Sequence, residues 1–283
     1  MVALESTLLA HGLPPDKRFQ VGLELEALVR SEGAIPATIA VIDGSLCVGL
    51  DEKQLKRLCE EPVRKASVRD LSVALAVGGI WATTVASTMH IAAAAQIKVF
   101  ATGGIGGVHR GAHLSFDESA DLLALRQYPV AVVSAGAKAI LDLRATYERL
   151  ETLGVPVLGF ETEYFPAFYS ASRQIPLSHH FTSPSLLSQI LRHRFEDLKQ
   201  GGVLVVQNPP EEAAQDAGEV ERLIESSLHR ALKEGITGSA ITPYLLSALD
   251  QASAGSVVET NIALVRNNAR LAARIAVAGA SSF

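Results

Sequence analysis

The sequence predicts an α/β protein, a parallel sheet covered by helices on both faces, in one domain spanning residues 1–283. Short, continuous apolar runs alternate with longer stretches of helical period, the pattern of strands buried on both faces and their crossover helices. Hydrophobic residues make up 48% of the chain but aromatics only 5%, an aliphatic richness that suits such a sheet. No internal repeat, low-complexity tract or Pro/Ser-rich linker divides the chain.

The elements follow in order. Residues 18–33, RFQVGLELEALVRSEG, read as an amphipathic helix closed by Gly33. ATIAVIDGSLCVGL, 37–50, reads as a hairpin turning at Asp43-Gly44 between two β-branched runs. A short charged helix over 51–61 comes next, then LSVALAVGG, 71–79, as a strand. ATTVASTMHIAAAAQ, 82–96, is a helix of small residues, and IKVFATGG, 97–104, a second strand. YPVAVVSAG, 128–136, is a third strand, KAILDLRATYERLETLG, 138–154, a helix, and VPVLGFET, 155–162, a fourth strand. GVLVVQNPP, 202–210, is a strand stopped by proline. Helices over 218–235, 242–249 and 259–280 complete the chain.

Bulk properties exclude several functions. A net charge of −5 with no basic run or stripe argues against a nucleic-acid surface. It leaves room for a small anion held by a local cluster. Cys47 and Cys59 are too few for a disulfide framework and point to a reducing compartment. The opening MVALESTLLAHGLP lacks the basic region and cleavage site of a secretory leader. The most apolar run, VASTMHIAAAAQIKVFA, is broken by polar residues before it reaches membrane-spanning length. A soluble, cytoplasmic enzyme with no membrane partner is expected, or an organellar one if a leader has been removed.

Ligands of open α/β sheets gather at the carboxyl ends of strands. Two such ends carry unusual sequence. ATGGIGGVHRG, 101–111, holds five glycines and exits on His109 and Arg110. It matches neither the P-loop nor the dinucleotide-binding spacing. Glycines there either cradle an anion with backbone N–H groups, with Thr102, His109 and Arg110 assisting, or let two segments touch. SAGAK, 134–138, puts Lys138 one turn into a predicted helix among small residues that leave room for a substrate. As a free amine, Lys138 is a nucleophile that forms imines with sugar carbons; the plain alternative is a surface lysine.

Four other places carry chemistry-bearing residues. Asp117 and Asp121 of FDESADLLAL are four apart, so one helix face presents both to a hard divalent ion, or Asp117 simply caps the helix. RKASVRD, 64–70, gathers Lys65, Ser67, Arg69 and Asp70 as a phosphate clamp or as a polar loop. Glu5 sits in an apolar opening beside Ser6, Thr7 and His11, where burial favours an acid–base role. Asn261 opens the last long helix, where capping is explanation enough. On residue chemistry alone the chain is a soluble α/β enzyme acting on a small anionic substrate such as a sugar phosphate.

Taken together the segments resemble one family, the pseudouridine-5′-phosphate glycosidases or indigoidine synthase A-like proteins. LESTLLAHG, KASVRD, ATTVASTM, VFATGGIGGVHRG, FDESAD, SAGAKAILD, FPAFY, ITPYLL and NIALVRNNA are among the matching segments, in family order, across residues 3 to about 270. The resemblance implies an α/β/α sandwich around a mixed, largely parallel central sheet, assembled as a homotrimer. It implies reversible cleavage of pseudouridine 5′-phosphate to uracil and ribose 5-phosphate with a bound manganese ion. It places the imine-forming lysine at Lys138 and further catalytic residues at Glu5, Lys65 and Asn261. The metal falls on Asp121, and the ribose-phosphate end on Lys65, Thr102 and His109. Rival readings are a Schiff-base lyase or aldolase, or a nucleosidase, on another ribose phosphate. The chain departs from the family pattern at Trp81, at QNPPEEA and at IPLSHHFTSP.

Overall fold

The computed structural model describes residues 1–236, 241–253 and 255–280. Of ITPYLL, residues 241–243 and 246 are described in backbone only. Ten strands form one sheet: β1 (Val2–Glu5), β2 (Pro36–Ile42), β3 (Ser45–Val48), β4 (Val63–Ala66), β5 (Ile80–Thr83), β6 (Val99–Ala101), β7 (Ala131–Ser134), β8 (Val157–Phe160), β9 (His179–Phe181) and β10 (Val203–Val206). The helices are α1 (Thr7–His11), α2 (Pro15–Ser31), α3 (Glu52–Glu60), α4 (Leu71–Val77), α5 (Val85–Ala94), α6 (Ala112–Ser115), α7 (Ala120–Gln127), α8 (Leu143–Thr152), α9 (Pro184–Arg192), α10 (Ala217–Lys233), α11 (Ile241–Ala252) and α12 (Ser256–Ala280). The strand order is β4-β5-β2-β1-β6-β7-β10-β8-β9, with β3 beside β2.

The sheet is mixed and largely parallel. β2, β1, β6, β7, β10, β8 and β9 run one way. β3 and the parallel pair β4–β5 run against β2. Every residue of β1, β2, β7 and β10 is buried, successive positions alike, so both faces of these strands are covered. α12 lies along β1, β6 and β7 with α2 and α9 beside it, and α5 packs on β1 and β2 with α7 alongside. None of the described helices is long and apolar enough to cross a membrane. The 37–50 hairpin forms as expected, β2 and β3 turning through Asp43 and Gly44 at φ of 50° and 79°.

The structure corrects four local expectations. Residues 71–77 are helix rather than strand: Leu71 and Ala74 are buried three apart while Val73 and Val77 face solvent. Gly78 and Gly79, at φ of 72° and 78°, turn that helix into β5, the true strand. Lys138 does not stand in a helix. α8 begins at Leu143 with Asp142 as its cap, and 137–142 is a loop whose main chain pairs with the glycine loop through Ile105–Ala137 and His109–Leu141 bridges. That tertiary partner outweighs the helical period. Asp117 precedes α7 and shares no helix face with Asp121; Ser119 is the cap, accepting from the Asp121 N–H at 3.2 Å. Asn261 lies inside α12, past its first turn, and caps nothing.

Candidate active site

The mixed sheet brings several strand ends to one place. Ser6, just past β1, and Thr83, at the end of β5, each donate a hydroxyl hydrogen bond of 2.7 Å to the Ile39 carbonyl. The carboxyl ends of β1 and β5 therefore meet over the middle of β2. β4 runs parallel to β5 with Lys65 opposite Ala82, so Lys65 arrives at the same junction. On the other side β1, β6 and β7 run parallel in close register, Leu4 opposite Ala101 and Ala101 opposite Val133. Their ends deliver Glu5, Thr102 and the 135–138 segment side by side. Lys138 is held there by its N–H, which donates to the Ile105 carbonyl at 3.1 Å.

Four charged side chains share this junction. Glu5 is buried, and the Thr102 hydroxyl donates to its carboxylate Oε1. Burial raises the Glu5 pKa; Lys138, the Thr102 hydrogen bond and Lys65 oppose the rise, while Asp121 reinforces it. Lys65 is exposed as a whole residue, yet its ammonium is crowded enough that desolvation, then Lys138, push its pKa down. Asp121 and Glu5 oppose that shift. His11, at the end of α1, is lowered by partial burial and by Lys65 and Arg18. An acid held protonated above the usual carboxylate range beside an amine held below the usual lysine range is a proton-transfer pair.

The glycine loop is built against protein, so close contact between segments accounts for its glycines at 104, 106 and 107. A methyl group on Gly104 would fall 2.5 Å from Cε2 of the Phe168 ring, and one on Gly106 would fall 2.3 Å from the Ser119 hydroxyl. Phe168 is itself buried at a left-handed φ of 65°. The loop's remaining ties are polar. The Asp121 carboxylate accepts from the Gly106 N–H at 2.7 Å and, through its other oxygen, from the Ala86 N–H of α5 at 2.9 Å. Thr146 of α8 accepts from the Val108 N–H at 2.9 Å.

Other expected residues fall in different places. Asn261 stands over Gly103, with its Oδ1 buried and unpaired among the described atoms and its Nδ2 donating to the Gly12 carbonyl at 3.5 Å. His109 lies farther along the loop, its Nδ1 3.8 Å from Oδ2 of Asp117. Arg110 points elsewhere, its guanidinium held by Glu221 of α10 and by the Ala139 carbonyl. Arg69 is largely exposed beside Asp70, and of the 64–70 cluster it is Lys65 that is coupled to Glu5. Trp81 is buried in β5, donating to the Gly78 carbonyl at 2.8 Å with Arg64 stacked 5.2 Å from its ring.

A profile of the indigoidine synthase A like proteins matches residues 1–278, nearly the whole chain that builds this junction. The chain belongs to that family. A pseudouridine-5′-phosphate glycosidase of Myxococcus xanthus is 49% identical over 280 residues, covering 98% of this chain and 92% of that protein. Another, from Symbiobacterium thermophilum, is 48% identical with the same coverage. Among solved structures, the prealnumycin C-glycosynthase AlnA in complex with ribulose 5-phosphate superposes with a TM-score of 0.92 at 38% identity, covering 100% of this chain and 92% of that one. An indigoidine synthase A-like protein of Thermotoga maritima gives 0.90 at 32% identity, over 98% and 91% of the two chains.

In this indigoidine synthase A like protein the donors for a metal ion are sparse. Among the described residues no three His, Cys, Asp or Glu side chains cluster as a metal cage. Asp121 has given one lone pair of each oxygen to a backbone N–H, and a carboxylate offers about four in all. Asp117, more exposed and turned toward His109, is the less committed carboxylate. The remaining lone pairs of Asp121 suit a hard divalent ion that keeps most of its water shell.

Glu5 also sets a stability prediction. A carboxyl whose folded pKa is raised contributes stability at low pH, and that contribution is lost as pH climbs from the ordinary carboxylate value through the raised one. Glutamine keeps an oxygen for the Thr102 hydroxyl and carries no charge. Glu5→Gln is expected to raise Tm by on the order of 2–4 °C above that window, and to change it little at pH 4. Thermal melts across pH check this; a uniform drop in Tm would refute it.

Proposed function

We propose that the chain cleaves the carbon–carbon glycosidic bond of pseudouridine 5′-phosphate reversibly, giving uracil and ribose 5-phosphate, with Lys138 as the nucleophile. The observation that carries this is the junction itself: Lys138, Glu5 and Lys65 act electrostatically on one another where five strands end. The glycosidases named above, and a C-glycosynthase solved with a ribulose phosphate, support the substrate class.

The chemistry explains why a lysine is needed. Ordinary glycosidases protonate a leaving heteroatom between two carboxylates. Here the base is joined through carbon, which has no lone pair to protonate, so the departing electrons need a sink on the sugar. The Lys138 amine attacks C1′ as the C1′–O4′ bond breaks and O4′ takes a proton from Glu5 or Lys65. The lysine nitrogen loses a proton and its lone pair then forms a C1′=N iminium. A proton delivered to uracil C5 makes the base a leaving group, and the C1′–C5 bond breaks as the iminium forms, its electrons restoring the C5=C6 double bond of uracil. Water adds to the iminium, the lysine leaves as the free amine, and ribose 5-phosphate is released. One water is consumed.

Glu5, its pKa raised by burial, and Lys65, its pKa held below the usual lysine value by desolvation and by Lys138, are the carriers. Asn261 offers its unpaired Oδ1 to a substrate donor. Thr102 orients Glu5, and Lys65, Thr102 and His109 bind the ribose-phosphate end, whose binding energy holds C1′ against Lys138. Asp121 would hold a hydrated manganese ion, which when bound supplies positive charge for substrate oxygens. Assembly as a homotrimer in the cytoplasm belongs to the same reading.

Ultraviolet assay of the chain on pseudouridine 5′-phosphate, with and without manganese, tests it. Uracil release is expected, with no base released from uridine 5′-monophosphate. The reverse preference would make the chain a nucleosidase.

A further inference from the structure

α12 carries Asn261 and Asn268 seven residues apart, two turns along one face. Asn261 reaches Gly103 from the front. Asn268 lies deeper, almost wholly buried, and its amide is fully engaged. Its Nδ2 donates to the Thr102 carbonyl at 2.8 Å and reaches the Gly103 carbonyl at 3.4 Å. Its Oδ1 accepts from Gln207 Nε2 at 2.9 Å. Gln207, also buried, follows β10, and its N–H donates to the Ser134 carbonyl at 3.2 Å.

Each bond has a directional consequence. The Thr102 and Gly103 carbonyls only accept, so the Asn268 N–H₂ faces the glycine loop and its Oδ1 faces Gln207 Nε2. Thr102 is then fixed from both sides: its N–H donates to the Val133 carbonyl at 3.0 Å, and its C=O is held by Asn268. With its main chain pinned, the Thr102 hydroxyl points at Glu5. The chain of contacts Gln207, Asn268, Thr102, Glu5 runs from β10 across β7 and β6 to β1, and every member is buried. The Asn268 side-chain bonds all go to the exits of β6 and β10, which flank the junction.

We infer that Asn268 is a positioning residue for proton transfer: by clamping the Thr102 and Gly103 carbonyls it holds the hydroxyl that orients the Glu5 carboxyl toward substrate. It contacts no reacting atom. This role rests on the glycosidase reading above.

The test is steady-state kinetics of the full-length chain on pseudouridine 5′-phosphate for Asn268→Ala, Thr102→Val and the double variant. Asn268→Ala is expected to lower kcat by on the order of 10–100-fold and to leave KM within about twofold. The double variant falls no further than the worse single one, since both act through one hydroxyl. Borohydride capture of ribose 5-phosphate on Lys138 persists in all three, because imine formation from the free sugar does not need the oriented Glu5. If Asn268→Ala does not fold, Gln207→Leu serves: it keeps the volume, removes the donor that anchors Asn268 Oδ1, and lowers kcat in the same direction but not in the Thr102→Val background. A folded Asn268→Ala with undiminished kcat, losses that multiply in the double variant, or a Gln207→Leu chain with wild-type kcat when Asn268→Ala is unfolded would each overturn the inference. A wild-type chain that releases no uracil overturns the glycosidase reading, and this role with it.

Discussion

Lys138→Ala is expected to lose uracil release from pseudouridine 5′-phosphate by on the order of 10³-fold or more, while KM stays near wild type. Without the Lys138 amine no iminium forms at C1′, and Lys65, the other amine at the junction, is left to move protons. Glu5 and Lys65 remain to move protons, but proton delivery alone does not break this bond. Binding is retained because the phosphate is held away from the reacting carbon. Borohydride reduction with ribose 5-phosphate separates this role from simple charge: the wild-type chain gains the mass of a reduced sugar phosphate on Lys138, and the variant gains none. The structure gives the variant little reason to misfold, since Lys138 is tied to the fold by its main chain, N–H to Ile105 and C=O to Leu141. Turnover at an undiminished rate in Lys138→Ala would end the imine mechanism.

Gly104→Ala is the second large effect, and it acts through packing. The added methyl would lie 2.5 and 2.6 Å from two carbons of the Phe168 ring and 3.1 Å from the Gly136 carbonyl oxygen. Neither neighbour gives way readily. Phe168 is buried, sits at a strained positive φ and is packed edge-on against Tyr169, 4.6 Å between centroids. The Gly136 carbonyl accepts from the Ile105 N–H at 3.0 Å, one of the bonds that dock the Lys138 loop on the glycine loop. The expected result is a chain destabilised by about 1–3 kcal/mol and slowed on the order of 10²-fold, as a shift of an ångström at Lys138 spoils the attack geometry. Denaturant unfolding and kcat measured on the same preparation check both parts. A stable, fully active Gly104→Ala would show that the loop has room to spare.

What could be read along the chain was what depends on local pattern. The buried strands β6, β7, β8 and β10 announce themselves as apolar runs, and the Asp43-Gly44 turn as a hairpin. Lys138 and Glu5 stand out because a lysine after a buried strand and a glutamate in an apolar opening are each unusual. Short elements were not legible. β4 is four residues, two of them charged, inside what reads as a polar loop. Residues 71–77 read as strand because most of the run is apolar, exposed positions included, which hides the helical period.

The site residues divide in the same way. Asn268 and Gln207 are ordinary polar residues in sequence, and only their burial and mutual bonds single them out. Arg110 looks like part of an anion site until Glu221, 111 residues away, is found holding it. Asp117 and Asp121 look like a helical pair until the backbone of 117–119 is seen to pair with 107–109 instead.

By itself the sequence determined the α/β class, the glycine loop and the lysine that follows β7, because strand burial and backbone freedom are properties of neighbouring residues. The tertiary structure alone decided which charges meet. β4 and β5 run against β2, so their ends face that of β1 and carry Lys65 to Glu5. Electrostatic coupling weakens with distance in space, and the distance between residues 5, 65, 121 and 138 is set by strand direction, not by any spacing along the chain.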